Sequence, residues 1–220
     1  MSVFQFAKPF AKRLLLLLAA LTFAGFGAAA ILGWERASLE NGAVENLQML
    51  MLVAALIAGI VAAWRAAGPL RALLACWVAV MVLMIQREFD FSVAGPGSWL
   101  ARMRDTDVRL AFWLPVLAIL IVWTLRHRQA LTRGFSALRW VHLWPVPAIA
   151  VLMLCSNLAE KLAKWGSVPG MTDVFVFLEE LFELNGYGVI AAMGIAFALR
   201  VSRPASPEVV EARNRLDPAA

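Results

Sequence analysis

The sequence predicts an all-α fold: a polytopic transmembrane helix bundle of about six spans with both termini cytoplasmic. The first observation is composition. The chain is 62% hydrophobic over 220 residues, with a mean hydropathy of +0.75, and a soluble globule of that size cannot hide so much apolar surface. The second is length, because the apolar residues fall into runs close to the ~20 residues that cross a bilayer. The third is charge. Every Asp and Glu ahead of the C-terminal tail sits at one end of these runs, while the other end carries Lys, Arg and the two His.

The first run, 14–34, follows Lys8, Lys12 and Arg13 and ends on Trp34. It is as long as a bilayer is thick and too long for a signal-peptide core, so it reads as a retained helix. The second, 45–64, starts at Glu45 and ends before Arg65. Gly68 and Pro69 turn the chain into the third, 70–88, with Arg71 at its start and Glu88 at its end. Gly95, Pro96 and Gly97 break the next loop, where residues 98–104 read as a short interfacial helix with Trp99 and Leu100 in the membrane. The fourth run, 109–125, leads into a basic loop with Arg126, Arg128, Arg133 and Arg139. The fifth, 140–159, contains Pro145 and Pro147, expected to kink it near its start. Pro169 and Gly170 precede the sixth, 179–199, which ends at Arg200. Residues 1–200 therefore make one transmembrane domain, and the polar segment 201–220 reads as a disordered cytoplasmic tail.

The short loops rich in Lys and Arg belong on the cytoplasmic side of a cytoplasmic (inner) membrane by the positive-inside rule. Trp34 and Trp165 then mark outer helix ends, and Trp64, Trp123, Trp140 and Trp144 inner ones, as an interfacial belt should. The net charge of +5 is accounted for by these anchors and their contact with anionic lipid. No basic–aromatic patch accompanies it, so nucleic acid is not an expected partner. Cys76 and Cys155 fall at different depths along their helices, and no disulfide is expected between them.

A ruler of ~20 residues laid from each basic anchor brings polar side chains of four helices to one shallow depth. They are Glu45 and Gln48, then Glu88 beside Arg87, then Asn157 and Glu160, and finally Glu179, Glu180 and Glu183 with Tyr187 a turn further in. Glu45 and Gln48 are three apart, as are Glu180 and Glu183, while Glu179 and Glu183 are four apart, so each pair shares a helix face. Glu160 and Lys164 have ion-pair spacing. Ionisable groups at this depth turn towards the bundle, which predicts an outward-opening, carboxylate-lined pocket. Gly186 and Gly188 would let neighbouring helices approach it. Carboxylates outnumber cations there, so the cluster is expected to hold a proton or bind a cation. Ca²⁺ or Mg²⁺ on Glu45, Glu88, Glu180 and Glu183 suits all-oxygen ligands, whereas zinc and haem are not expected, because no His lies on that side.

Catalytic motifs are mostly absent. Glu179, Glu180, Glu183, Asn185 and Gly186 make a stretch that resembles the paired-glutamate motif of CAAX-type intramembrane proteases. That motif's Arg is missing here, however, and no His follows His142 to complete its set. The Glu35, Glu40–Asn41 and Glu45–Asn46 segment after Trp34 is similar to the opening of the alkaline ceramidases. Their zinc site needs three His, and this chain has two, both at the inner end. No Ser/His/Asp order, phosphate-binding glycine loop or HExxH occurs.

Two functions from different classes follow. In the first, the pocket binds a divalent cation or a polar or cationic headgroup, with chemistry on a lipid an extension. Glu88 and Glu183, the deepest carboxylates, would be its acid/base pair. In the second, the protein is not a catalyst, and the acidic residues form a structural network or dock a periplasmic or extracellular partner. Either version is compatible with an oligomer. The sparse ionisable content between shelf and basic belt argues against a transport path through the monomer.

Overall fold

The computed structural model describes residues 6, 8–38, 42–88, 106–129, 132, 143–166 and 170–201. The expected interfacial helix at 98–104 and the tail beyond residue 201 lie outside these. Among the described residues the chain is helical throughout, with no strand. The elements are α1 (Lys8–Leu32), α2 (Trp34–Ala37), α3 (Ala43–Arg65), α4 (Gly68–Glu88), α5 (Thr106–Arg126), α6 (Pro145–Trp165) and α7 (Thr172–Val201). Five helices, α1, α3, α4, α6 and α7, are long and apolar enough to cross a membrane. The fully described apolar part of α5, Trp113–Arg126, is shorter than that length. This is a multi-pass membrane protein.

The helices run up and down, and side-chain contacts fix the order of their ends. Phe6, just ahead of α1, packs against Phe197 near the end of α7, and its carbonyl accepts from Trp144 Nε1 at the start of α6. At the far end Trp34 and Phe26 pack on Phe177, early in α7. α7 is the axis of the bundle. α3 and α6 make its most extensive contacts and α1 a further one, while α4 packs on α3 and reaches α7 through Trp77, Met81 and Glu88, and α5 makes a slight contact with α4.

Leucine and alanine favour helix in any solvent, and in hydrocarbon a helix satisfies every backbone group internally, so these segments have no competing structure. The core forms in three layers along α7. Phe177, Leu181 and Leu184 meet Leu21 and Val44 at one end. Leu52, Ala55 and Met81 surround Tyr187 and Ile190 in the middle. Leu14, Ala62 and Leu74 pack on Val189, Met193 and Phe197 at the other end. Large apolar side chains point outwards elsewhere, as with Phe23 at 78% and Ile31 at 84% exposure, which is the arrangement for lipid as solvent.

The fifth and sixth expected spans have different boundaries in the structure. Pro145 does not kink a helix already under way but occupies its first turn. Proline lacks the N–H that a first turn leaves unbonded, and its fixed φ suits that position. The helix therefore starts later than residue 140 and runs on to Trp165, where Gly166 closes it in the left-handed region at φ 59°. The last helix begins at Thr172 rather than 179, so its acidic residues lie inside regular helix and hold fixed angular positions.

Tight helix contacts occur where glycine replaces a side chain. A Cβ at Gly186 would collide with Met153 of α6, and one at Gly188 with Leu21 of α1. At Gly194 it would meet the backbone oxygen of Ala55 at 3.2 Å, so α3 and α7 are in near-backbone contact there. Cys76 and Cys155 are both free thiols.

Candidate functional site

The acidic ends of α3, α4 and α7 meet, and Ser156 of α6 joins them. Because the helices alternate in direction, the start of α3 (Glu45, Gln48), the end of α4 (Arg87, Glu88) and the first third of α7 (Glu179, Glu180, Glu183, Tyr187) lie at one level. Spacing of three and four residues along α7 then stacks Glu180, Glu183 and Tyr187 on adjoining turns.

Glu183 is the centre. It is 8% exposed, and its Oε1 accepts from Ser156 Oγ at 3.2 Å and from Arg87 Nη2 at 3.3 Å. Arg87 also places Nε 3.4 Å from Glu88 Oε1, so one guanidinium bridges two carboxylates on different helices. Glu88 Oε1 accepts in addition from the Tyr187 hydroxyl at 2.8 Å, and Tyr187 is completely buried. Glu45 lies within electrostatic reach of both Glu88 and Glu180, and Glu183 within reach of Glu88, Glu179 and Glu180.

A second knot lies beside the first. Gln48, fully buried, donates from Nε2 to the Glu180 carbonyl at 2.8 Å and to Glu180 Oε2 at 2.7 Å. Turning its amide over would set Oε1 against that carbonyl, acceptor on acceptor, so the amide orientation is settled by the backbone. Among the described residues Oε1 is left buried without a hydrogen-bond partner. A buried acceptor in that state costs of order 1–3 kcal/mol. One turn further along α7, Asn185 donates to the Leu181 carbonyl and its Oδ1 accepts from Thr22 Oγ1 of α1 at 3.3 Å.

The structure thus brings together Glu45, Gln48, Glu88, Glu180, Glu183 and Tyr187, with Glu179 at the rim. It leaves Asn157 outside and Glu160 at the margin, within electrostatic reach of Glu179. Asn157 is exposed and donates back to the Met153 carbonyl of its own helix. Glu160 makes an exposed ion pair with Lys164 on the same helix. Depth and the spacing of Asn157, Glu160 and Lys164 along the helix point to these two in the sequence. The buried face of α6 instead carries Ser156 and Ala159, three residues apart, and small residues at that spacing were the available signal. Gln86 lies at the same depth as Arg87 and Glu88 by the ~20-residue count. It accepts a hydrogen bond from Trp113 Nε1 and so ties α5 to α4.

Glu45, Glu88, Glu180 and Glu183 do not converge on a common point, and among the described residues no three His, Cys, Asp or Glu side chains form a group able to hold a metal ion. The physical reason is occupancy. Arg87 stands between Glu88 and Glu183, and Gln48 takes the inward oxygen of Glu180.

The cluster combines a buried amide acceptor with several carboxylates, the chemistry that a positively charged N–H donor would match. It offers an unpartnered amide oxygen among carboxylates, with one guanidinium directly bonded to them. No family model, curated protein or solved structure matches the chain.

Proposed function

We propose that this multi-pass membrane protein binds a cationic, N–H-bearing group at the acidic ends of α3, α4 and α7, and that the group is a protonated amine such as an ethanolamine lipid headgroup. The observation that carries this reading is Gln48 Oε1, a fully buried acceptor with no donor among the described residues, fixed beside Glu180. A donor supplied by a ligand relieves that cost, and the surrounding carboxylates favour one that is charged. Ethanolamine has both properties. Choline has the charge without an N–H. On the positive-inside reading the site faces out of a cytoplasmic membrane, within reach of outer-leaflet headgroups.

The test compares short-chain phosphatidylethanolamine and phosphatidylcholine by thermal unfolding of the purified protein. At about 100 Kd a ligand adds roughly 2.7 kcal/mol, or some 5–10 °C for a chain of this size. The ethanolamine lipid should give such a shift, the choline lipid little, and Gln48→Ala should abolish the difference. Equal shifts from both lipids would refute the reading. A shift from Ca²⁺ or Mg²⁺ alone, lost in Glu183→Gln, would instead restore a metal site.

A second reading is favoured by the bonding of Glu183 and Glu88. Ser156, Arg87 and Tyr187 satisfy both carboxylates, as a network that joins helices would. In that case Glu183→Gln lowers the melting temperature by the same amount with or without either lipid.

A further inference from the structure

We propose a second lipid site at the opposite end of the molecule, one that takes an anionic phospholipid of the leaflet next to the basic loops. It is independent of the acidic site. Among the described residues α5 makes a slight contact with α4, and an open groove of about 510 Å³ remains between α3, α4 and α5. That volume lies within the ~300–1,000 Å³ range of small-molecule sites.

The walls of the groove are apolar in one direction and cationic at one end. On α4, Arg71, Ala75 and Val78 line it. Their spacing of four and three puts them on one helix face, and Val78 lies about 10 Å deeper than Arg71. Ala63 of α3 completes the apolar wall. Trp64 of α3 and Trp123 of α5 stand on either side, the residue type that sits at headgroup level.

Arg71 is held in place from behind. Its Nε donates to the Ala66 carbonyl at 2.8 Å and its Nη2 to the Trp64 carbonyl at 3.4 Å. Those bonds use part of a five-donor fork, and the side chain is exposed at the mouth of the groove. A guanidinium anchored by two backbone carbonyls is pre-oriented, so it binds phosphate with little further loss of side-chain freedom. The occupant that matches is a phospholipid, its phosphodiester on Arg71 and one acyl chain along Ala63, Ala75 and Val78. A free phosphate would use the Arg and leave the apolar wall to other lipids.

The experiment measures lipid retained by the detergent-purified full chain, using native mass spectrometry after equilibration with phosphatidylglycerol or phosphatidylcholine. The wild-type protein should retain one phosphatidylglycerol in preference to phosphatidylcholine. Arg71→Gln should reduce that preference about tenfold, the effect of losing one charge-assisted contact. Ala75→Phe, which keeps Arg71 and fills the groove, should reduce retention of both lipids. Arg13→Gln removes an equal charge from α1 and should change nothing. Three outcomes would overturn the site: no preference in the wild type, equal loss in Arg13→Gln, or full retention in Ala75→Phe. Competition by inorganic phosphate that displaces the lipid fully would also overturn it, by showing that the apolar wall contributes nothing.

Discussion

Glu88 shows what single side chains do in this protein. Its carboxylate ends α4 at the level of Tyr187 on α7, and the 2.8 Å hydrogen bond between them is a tie between helices that make few other polar contacts. In a low-dielectric surrounding an unmet donor or acceptor costs more than a met one gains. Tyr187→Phe is therefore expected to destabilise the protein by roughly 1–3 kcal/mol. In a Glu88→Ala background, where the hydroxyl has already lost its acceptor, the same change should cost distinctly less, and a double-mutant cycle by denaturation in detergent reads the difference. Additive losses would show that the hydroxyl does not serve Glu88. Residue types and depth were legible beforehand for Glu45, Gln48, Glu88, Glu180, Glu183 and Tyr187. Partners were not, because a hydrogen bond joins atoms whose separation depends on how two helices are rotated.

At the scale of elements, α7 owes its central place to what it lacks. Gly186, Gly188 and Gly194 let α6, α1 and α3 in turn come close. A side chain at Gly194 has no soft neighbour to displace, since the nearest atom is the Ala55 backbone oxygen. Gly194→Val should therefore destabilise the α3–α7 contact by about 1–3 kcal/mol or more. Gly27 of α1 has open space around it, and Gly27→Ala should be neutral or stabilise by up to ~1 kcal/mol. Melting temperatures of the two variants check both expectations, and equal effects would contradict the packing. The face of α6 was misread for a related reason. Its helix is apolar on most sides, so the positions of Ser156 and Asn157 differ by about 100° of rotation that hydrophobic periodicity does not settle. Packing against α7 chose Ser156.

For the whole molecule, the alternation of helices places two chemically different ends on opposite sides of a membrane. Orientation can be checked by accessibility. In a chain with Cys76→Ser and Cys155→Ser, an impermeant thiol reagent should label Ser38→Cys and Met171→Cys in intact cells, and Ala67→Cys only after permeabilisation. Labelling of Ala67→Cys in intact cells would reverse the orientation and put the acidic cluster inside. The class of fold, the solvent and the sorting of charge to two ends are properties of composition along the chain and can be read from it directly. Hydropathy and charge act residue by residue and need no partner to be read. Which carboxylates share a guanidinium, and that Gln48 Oε1 has no donor among the described residues, follow from tertiary packing alone. Those outcomes depend on the rotation and closeness of helices, which glycine contacts and side-chain volumes set jointly across the bundle.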